Sequence, residues 1–241
     1  MADFEHAEEL AVGLYERGVD AMPSGKIIAF GDFTLKSGHW SPWFVNTRPI
    51  FSFDAGSAQP IERQARLRSL FVERYAENID DLEATTGRVD HLYGPPEAGT
   101  PLASAIAYTA GRSLLWRRVK DKSGRGIHAT IEGVYYEGQK VLQIDDVISK
   151  ATTKKEEEQV LSANGLITVG AAIGVDREMG GRQAMEDDGW EIRDVMNASG
   201  MFSALHTGGV LTDTQYQYLV DYTANDAPAS PPADHPFRKH S

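Results

Sequence analysis

Cysteine is absent from the chain, which excludes disulfides, thiolate-bound zinc and thiol nucleophiles. The seven histidines are scattered, with no pair at metal-ligand spacing. Positive charge is short: 24 Lys and Arg stand against 35 Asp and Glu, a net charge of −11. That balance argues against a nucleic-acid surface, and an anionic ligand needs a local basic pocket set against the overall field. No apolar run approaches the roughly 20 residues of a membrane span. The segment Met1–Leu10 is acidic and polar, so no signal peptide is expected. A soluble cytoplasmic protein follows as the expectation, with no membrane and no nucleic acid among its partners.

What is present is enough chain, 241 residues, for one α/β domain with an accessory piece or two small domains, with a core that needs no staples. Residues 4–18 carry Phe4, Leu10, Leu14 and Tyr15 on one side of a predicted helix. Residues 27–53 are rich in β-formers and aromatics. Residues 57–79 place Ile61, Ala65, Val72, Tyr75 and Ile79 at helical spacing. Then the pattern alternates: strand Val89–Tyr93, helix Pro101–Gly111, strand Ser113–Val119, strand Lys140–Asp145, helix Thr153–Ala163, strands Thr168–Val175 and Glu191–Asn197. Such alternation predicts a parallel sheet with helices on both faces. Lys120–Gln139 reads as a mobile basic loop and a hairpin. Ala224–Ser241, with four prolines and little apolar content, reads as disordered.

Residues 141–152, Val-Leu-Gln-Ile-Asp-Asp-Val-Ile-Ser-Lys-Ala-Thr, carry the most chemistry. An apolar run ends in two acids, and a Ser/Thr turn then opens a helix. Paired carboxylates at a strand end suit vicinal hydroxyls. A turn at a helix N-terminus offers N–H groups, hydroxyls and a positive dipole end to a phosphate. Acids for a ribose beside a cradle for its 5′-phosphate suggest a phosphoribosyl site. Asp, Ser and Thr also favour a plain strand end and helix start, so this segment alone leaves both readings open. Ligands of open parallel sheets bind outside the carboxyl ends of the strands. The predicted ends here, Tyr93–Thr100, Arg117–Lys120, Asp145-Asp146 and Asp176–Glu178, all bear Gly or charge.

Further segments make the chain resemble the orotate phosphoribosyltransferase family over about residues 25–200. Phe30–Gly38 and Ser41–Asn46 are similar to the family's N-terminal signature. Gly94–Ala103 is similar to its pyrophosphate-side loop and following helix. Val141–Thr152 is similar to the phosphoribosyl pyrophosphate (PRPP) motif of type I phosphoribosyltransferases, and Asp176–Glu178 to the element meeting orotate. The resemblance implies a type I phosphoribosyltransferase fold of α/β class: a central parallel sheet flanked by helices, with an N-terminal hood subdomain. It implies a hood over 1–56, a core over 57–223 and a disordered tail over 224–241. No segment reads as a decarboxylase half, so a bifunctional UMP synthase is not expected.

The implied roles follow the motifs. Asp145 and Asp146 hold the ribose hydroxyls and face the sugar's developing positive charge. Ser149, Lys150, Ala151, Thr152 and Thr153 bind the 5′-phosphate. Lys36 sits at the PRPP and orotate junction, Trp43 and Phe44 flank the pyrimidine, and Arg177 pairs with the orotate carboxylate. Arg117 and Arg118 contact PRPP, and Lys120 or Lys122 neutralises the leaving pyrophosphate. Mg²⁺ arrives mainly through PRPP, with no dedicated protein metal site. A homodimer is implied, each mobile loop reaching the neighbouring site.

The sequence departs from the family in three places. Ala151 replaces a glycine of the phosphate turn, which matters where φ must be positive or a Cβ stands in the phosphate's path. The basic loop Arg117–Gly124 has no His. Glu97-Ala98 stand where many members have Tyr-Lys. Two alternatives therefore remain: a non-catalytic or regulatory PRPP-fold protein binding a nucleotide, or a phosphoribosyltransferase acting on another base. The bland readings are a surface lysine at Lys36, a core aromatic at Trp43 or Phe44, an ion pair of Arg177 with Glu178, and a solvated loop at 117–125. Lys154–Glu158 reads as an exposed helix face with i,i+3 and i,i+4 pairs.

Overall fold

Apolar runs and helical periodicities resolve into alternating strands and helices. A computed structural model describes residues 2–16, 26–35, 38–53, 55, 58–118, 131–225 and 228–238. In chain order the elements are α1 (Ala2–Glu16), β1 (Ile28–Thr34), β2 (Trp40–Val45), a 3-10 turn (Arg48–Phe51), α2 (Ile61–Thr86), β3 (His91–Gly94) and α3 (Gly99–Thr109). There follow β4 (Leu114–Arg117), β5 (Ile131–Glu132), β6 (Lys140–Ile148), α4 (Thr152–Ala163), β7 (Ile167–Asp176), α5 (Gly181–Glu186), β8 (Glu191–Asn197), α6 (Ala198–Thr207) and α7 (Asp213–Ala224). They form two compact units: residues 1–71 with 196–241, and residues 72–195.

In the first unit β1 and β2 pair antiparallel, with an irregularity between Phe30 and Phe33. Leu10, Leu14, Trp43, Ile50, Leu67, Phe71, Phe202 and Leu205 are buried there. The face of α2 that is buried runs through Gln64, Leu67, Phe71, Tyr75 and Ile79, whereas Ile61 is exposed. Helices α6 and α7 start on side-chain caps: Asn197 accepts from the N–H of Gly200, and Thr212 with Gln215 forms a capping box.

Composition predicts disorder for the polar C-terminal segment; residues 228–238 nonetheless carry ordered contacts. His235 is buried, its Nε2 lies 2.9 Å from Asp32 Oδ1, and Phe237 stacks on Phe30 at 4.9 Å. Two aromatic side chains give this short stretch apolar area that its average composition hides.

The second unit holds one sheet in the order β5-β4-β3-β6-β7-β8. β4, β3, β6 and β7 run parallel, and β5 is antiparallel on the β4 edge. Near-continuous apolar runs mark β6 and β7 as strands covered on both faces. One core cluster joins Tyr93, Leu115, Val141, Leu161 and Leu166; another joins Ile148, Ala171, Ile173, Met185 and Ile192. Four parallel carboxyl ends thus open on one edge of the sheet, where the chemistry-bearing turns begin.

Candidate active site

β6 carries the acid pair towards its carboxyl end, with Asp145 opposite Ile173 and Ile148 opposite Asp176 of β7. Successive strand residues point to opposite faces, so the two carboxylates diverge. Asp145 is 8% exposed and Asp146 is half-buried. Both Asp145 oxygens are engaged. Oδ1 accepts the Asp146 N–H at 2.9 Å, and Oδ2 accepts Lys154 Nζ at 2.7 Å. The same ammonium donates to the Val147 carbonyl at 2.7 Å. Tyr75 of α2 donates its hydroxyl to the Asp145 carbonyl at 2.8 Å. Burial first, then the charges of Asp146 and Asp145, push this phenol well above its ordinary pKa and keep it a donor.

The turn after β6 is Ser149-Lys150, and α4 starts from Ala151, whose φ of 61° and ψ of 1° are left-handed. Alanine there costs about 1–2 kcal/mol. Its methyl belongs to the cluster of Ile148, Ala171, Ile173, Met185 and Ile192. Of the two conditions raised for this position, the backbone meets the positive φ, and the methyl packs in the core. Alanine offers no side-chain acceptor, so α4 begins without an N-cap hydrogen bond from residue 151. Gly181 backs the turn, since a Cβ there would lie 2.3 Å from the Ser149 carbonyl oxygen.

On the next strand, the loop Gly94–Gly99 turns tightly into α3. Thr100 Oγ1 donates to the Gly94 carbonyl at 3.0 Å, and a Cβ on Gly99 would meet the Ile144 carbonyl oxygen at 2.7 Å. Only glycine lets this loop rest on β6 beside Asp145. Glu97 is exposed.

At the end of β4, Arg117 pairs with Glu157 of α4 at 2.9 Å, and Tyr93 donates its hydroxyl to the other Glu157 oxygen at 2.5 Å. Burial, then the bond to Glu157, raise the Tyr93 pKa well above its ordinary range. Arg118 pairs with Glu132 at 3.1 Å. At the end of β7 the Asp176 carboxylate accepts from Glu178 N–H at 2.8 Å and from Arg182 Nε at 2.9 Å. Arg177 is 5% exposed, and its N–H donates to the Ile148 carbonyl at 2.9 Å.

The second unit thus gathers Asp145, Asp146, Ser149, Lys150, Ala151, Thr152, Thr153, Arg117, Arg118 and Arg177 on the carboxyl ends of its strands, the turns that follow or the first turn of α4. Lys36, Lys120 and Lys122 lie outside the described residues. In the first unit Trp43 is a core residue, 1% exposed and edge-on to Phe202, while Phe44 is 38% exposed and stacked on Phe33. The exposed-face reading of Lys154–Glu158 is corrected, because Lys154 and Glu157 are buried and engaged. A signal was available: a lysine in the first turn of a helix opposes the dipole and calls for a nearby acid, which β6 supplies.

No family model matches the chain. It is 33% identical to an orotate phosphoribosyltransferase of Podospora anserina over 164 residues, 64% of this chain and 64% of that protein. It is 31% identical to the orotate phosphoribosyltransferase of Pseudomonas paraeruginosa over 206 residues, 83% of this chain and 84% of the relative. Among solved structures, the Leishmania donovani UMP synthase superposes with a TM-score of 0.71 at 26% identity, covering 93% of this chain and 42% of that one. Strand order, the acid pair, the hydroxyl-bearing turn and 31% identity over 83% of the chain converge, and the chain belongs to the orotate phosphoribosyltransferase family.

Proposed function

We propose that the chain transfers the phosphoribosyl group of PRPP to orotate, giving orotidine 5′-monophosphate and pyrophosphate in pyrimidine nucleotide synthesis. One observation carries the reading: a single strand-turn-helix unit presents Asp145 and Asp146, then a hydroxyl-bearing turn whose residue 151 is left-handed. A ribose 5-phosphate needs both halves of that unit. As the bond from C1 to the pyrophosphate oxygen breaks and the bond to the orotate nitrogen forms, the nitrogen gives up its proton, which the departing pyrophosphate can accept, and positive charge grows transiently on the sugar. Carboxylates fixed beside it stabilise that charge in a site with little water. Ser149, Thr152, Thr153 and the start of α4 hold the 5′-phosphate, with Lys150 adding charge. Arg177 takes the orotate carboxylate, where a planar fork suits two parallel bonds. Phe44 is the aromatic with an exposed ring for a flat base, and Lys120 or Lys122 neutralises the departing pyrophosphate.

Mg²⁺, when bound with PRPP, neutralises pyrophosphate charge. Pyrophosphate and ribose oxygens of the substrate would supply most of the donor set that Mg²⁺ takes, with few protein ligands. A cytoplasmic homodimer completes the reading. The second reading, PRPP binding without turnover, is favoured by the strain at Ala151. Pyrophosphate release that depends on orotate, PRPP and Mg²⁺ supports transfer. Calorimetric PRPP binding with no release in the presence of orotate selects the second reading. Release with another base but not with orotate rejects the base assignment.

A further inference from the structure

Lys154 is 3% exposed in the first turn of α4. Burial desolvates its charge, and the positive end of the helix repels it. Two acceptors offset both penalties: Asp145 Oδ2 and the Val147 carbonyl, each at 2.7 Å. The second Asp145 oxygen is already bound to the Asp146 N–H, and a Cβ on Gly99 would stand 3.5 Å from it. Asp145 is thus enclosed by the ammonium, the next peptide and the Gly94–Gly99 loop. Asp146, half-buried and directed to the other face, is the more open of the two acids.

We propose that Lys154 is the resident counter-ion of the acid pair, making Asp145 a positioning residue and leaving Asp146 as the carboxylate that grips the ribose hydroxyls. The assignment rests on the phosphoribosyl-transfer reading and divides its two acids by role. The Lys154 side chain ties the end of β6 to the first turn of α4, so the ribose acids and the phosphate turn keep one spacing. It also cancels one of two adjacent negative charges, so that the tri-anionic region of PRPP meets a net charge of one acid rather than two.

The test compares D145N, D146N, K154M and the double variant K154M/D145N by PRPP calorimetry with Mg²⁺ and by kcat and KM with orotate. Melting curves confirm that each is folded at the assay temperature. D146N loses a charged hydrogen bond to substrate and is expected to cost about 10–100-fold in PRPP affinity. D145N leaves the Lys154 ammonium donating to a neutral amide oxygen in place of a carboxylate and costs about 3–5-fold. K154M exposes the Asp145 charge to PRPP and costs about tenfold, and adding D145N restores most of that loss. A lysine that only holds the fold would show a stability change without this rescue in PRPP affinity. If D145N costs as much as D146N, the division of roles is overturned while the transfer reading stands. A native chain that neither binds PRPP nor releases pyrophosphate overturns both. If K154M does not fold, the D145N and D146N pair alone decides.

Discussion

At Ala151 the left-handed backbone, with φ of 61°, costs about 1–2 kcal/mol, while the buried methyl returns about 0.8 kcal/mol. Ala151→Gly removes both terms and also loosens the unfolded chain. Its urea stability is expected to stay within about 1 kcal/mol of the native chain. Because the methyl faces the core, PRPP affinity should change little, and a large gain on calorimetric titration would mean that the methyl reaches the phosphate after all. Under the proposed reading, base identity turns on Arg177. Replacing it by Ala removes a charged two-bond contact worth about 1.5–3 kcal/mol, so orotate affinity should fall roughly 10–100-fold and PRPP affinity far less. Equal losses for both ligands would move Arg177 from the base to the scaffold.

Helix α4 is fastened to the sheet by two buried charges, Lys154 to β6 and Glu157 to β3 and β4. Glu157→Gln keeps the shape but weakens the bonds to Arg117 and the Tyr93 hydroxyl. Arg117 is one-third exposed, so solvent screens part of the pair. A loss of about 1–2 kcal/mol in denaturant unfolding is expected. The start of α5 packs against the Ser149-Lys150 turn. Gly181→Ala drives a Cβ into the Ser149 carbonyl, which lies 2.3 Å from that position. Overpacking of this kind costs about 1–3 kcal/mol. Since the shift falls on the turn itself, PRPP affinity should drop along with the melting temperature. A stability loss with unchanged affinity would show that the turn relaxes without moving its hydroxyls.

The response of the chain to acid depends in part on Glu83, which closes the end of α2 against Arg112 and the Val89 N–H. Burial opposes the Glu83 charge, but the Arg112 and Val89 hydrogen bonds outweigh it and lower the pKa below 4.5. A depressed carboxylate stabilises the fold above its unfolded pKa, and that contribution fades as pH falls through the folded value. Glu83→Gln should therefore unfold more easily than the native chain at pH 7, with the gap closing below about pH 4.5. A gap that is constant with pH would remove the charge from the explanation. The C-terminal segment adds a second global term. Deleting residues 228–241 strips Phe237 from Phe30 and His235 from Asp32. A melting temperature lower by about 3–12 °C is expected, since one buried aromatic is worth about 1.5–3 kcal/mol.

Periodicity alone specified much of this molecule. Short apolar runs of Val, Ile and Leu suit covered strands, and their alternation with amphipathic segments favours a parallel sheet, the class whose carboxyl ends carry the ligand-binding turns. Asp145, Asp146 and the Ser/Thr turn were legible because their chemistry is local: acids, hydroxyls and a helix start lie within nine residues of one another. The positive φ at 151 was raised only as a condition, through the family's glycine at that place, and the folded chain supplies it. What the chain order could not reveal are pairings across the fold. Lys154 and Glu157 look like a solvated helix face until the sheet brings Asp145, Arg117 and Tyr93 beneath them. Trp43 and Phe44 are neighbours of similar character, and strand alternation with the packing of Phe202 buries one and exposes the other. His235 and Phe237 gain their partners from 203 and 207 positions away in sequence, a distance over which composition carries no signal. Burial and charge pairing are properties of neighbours in space, and only the folded chain supplies those neighbours.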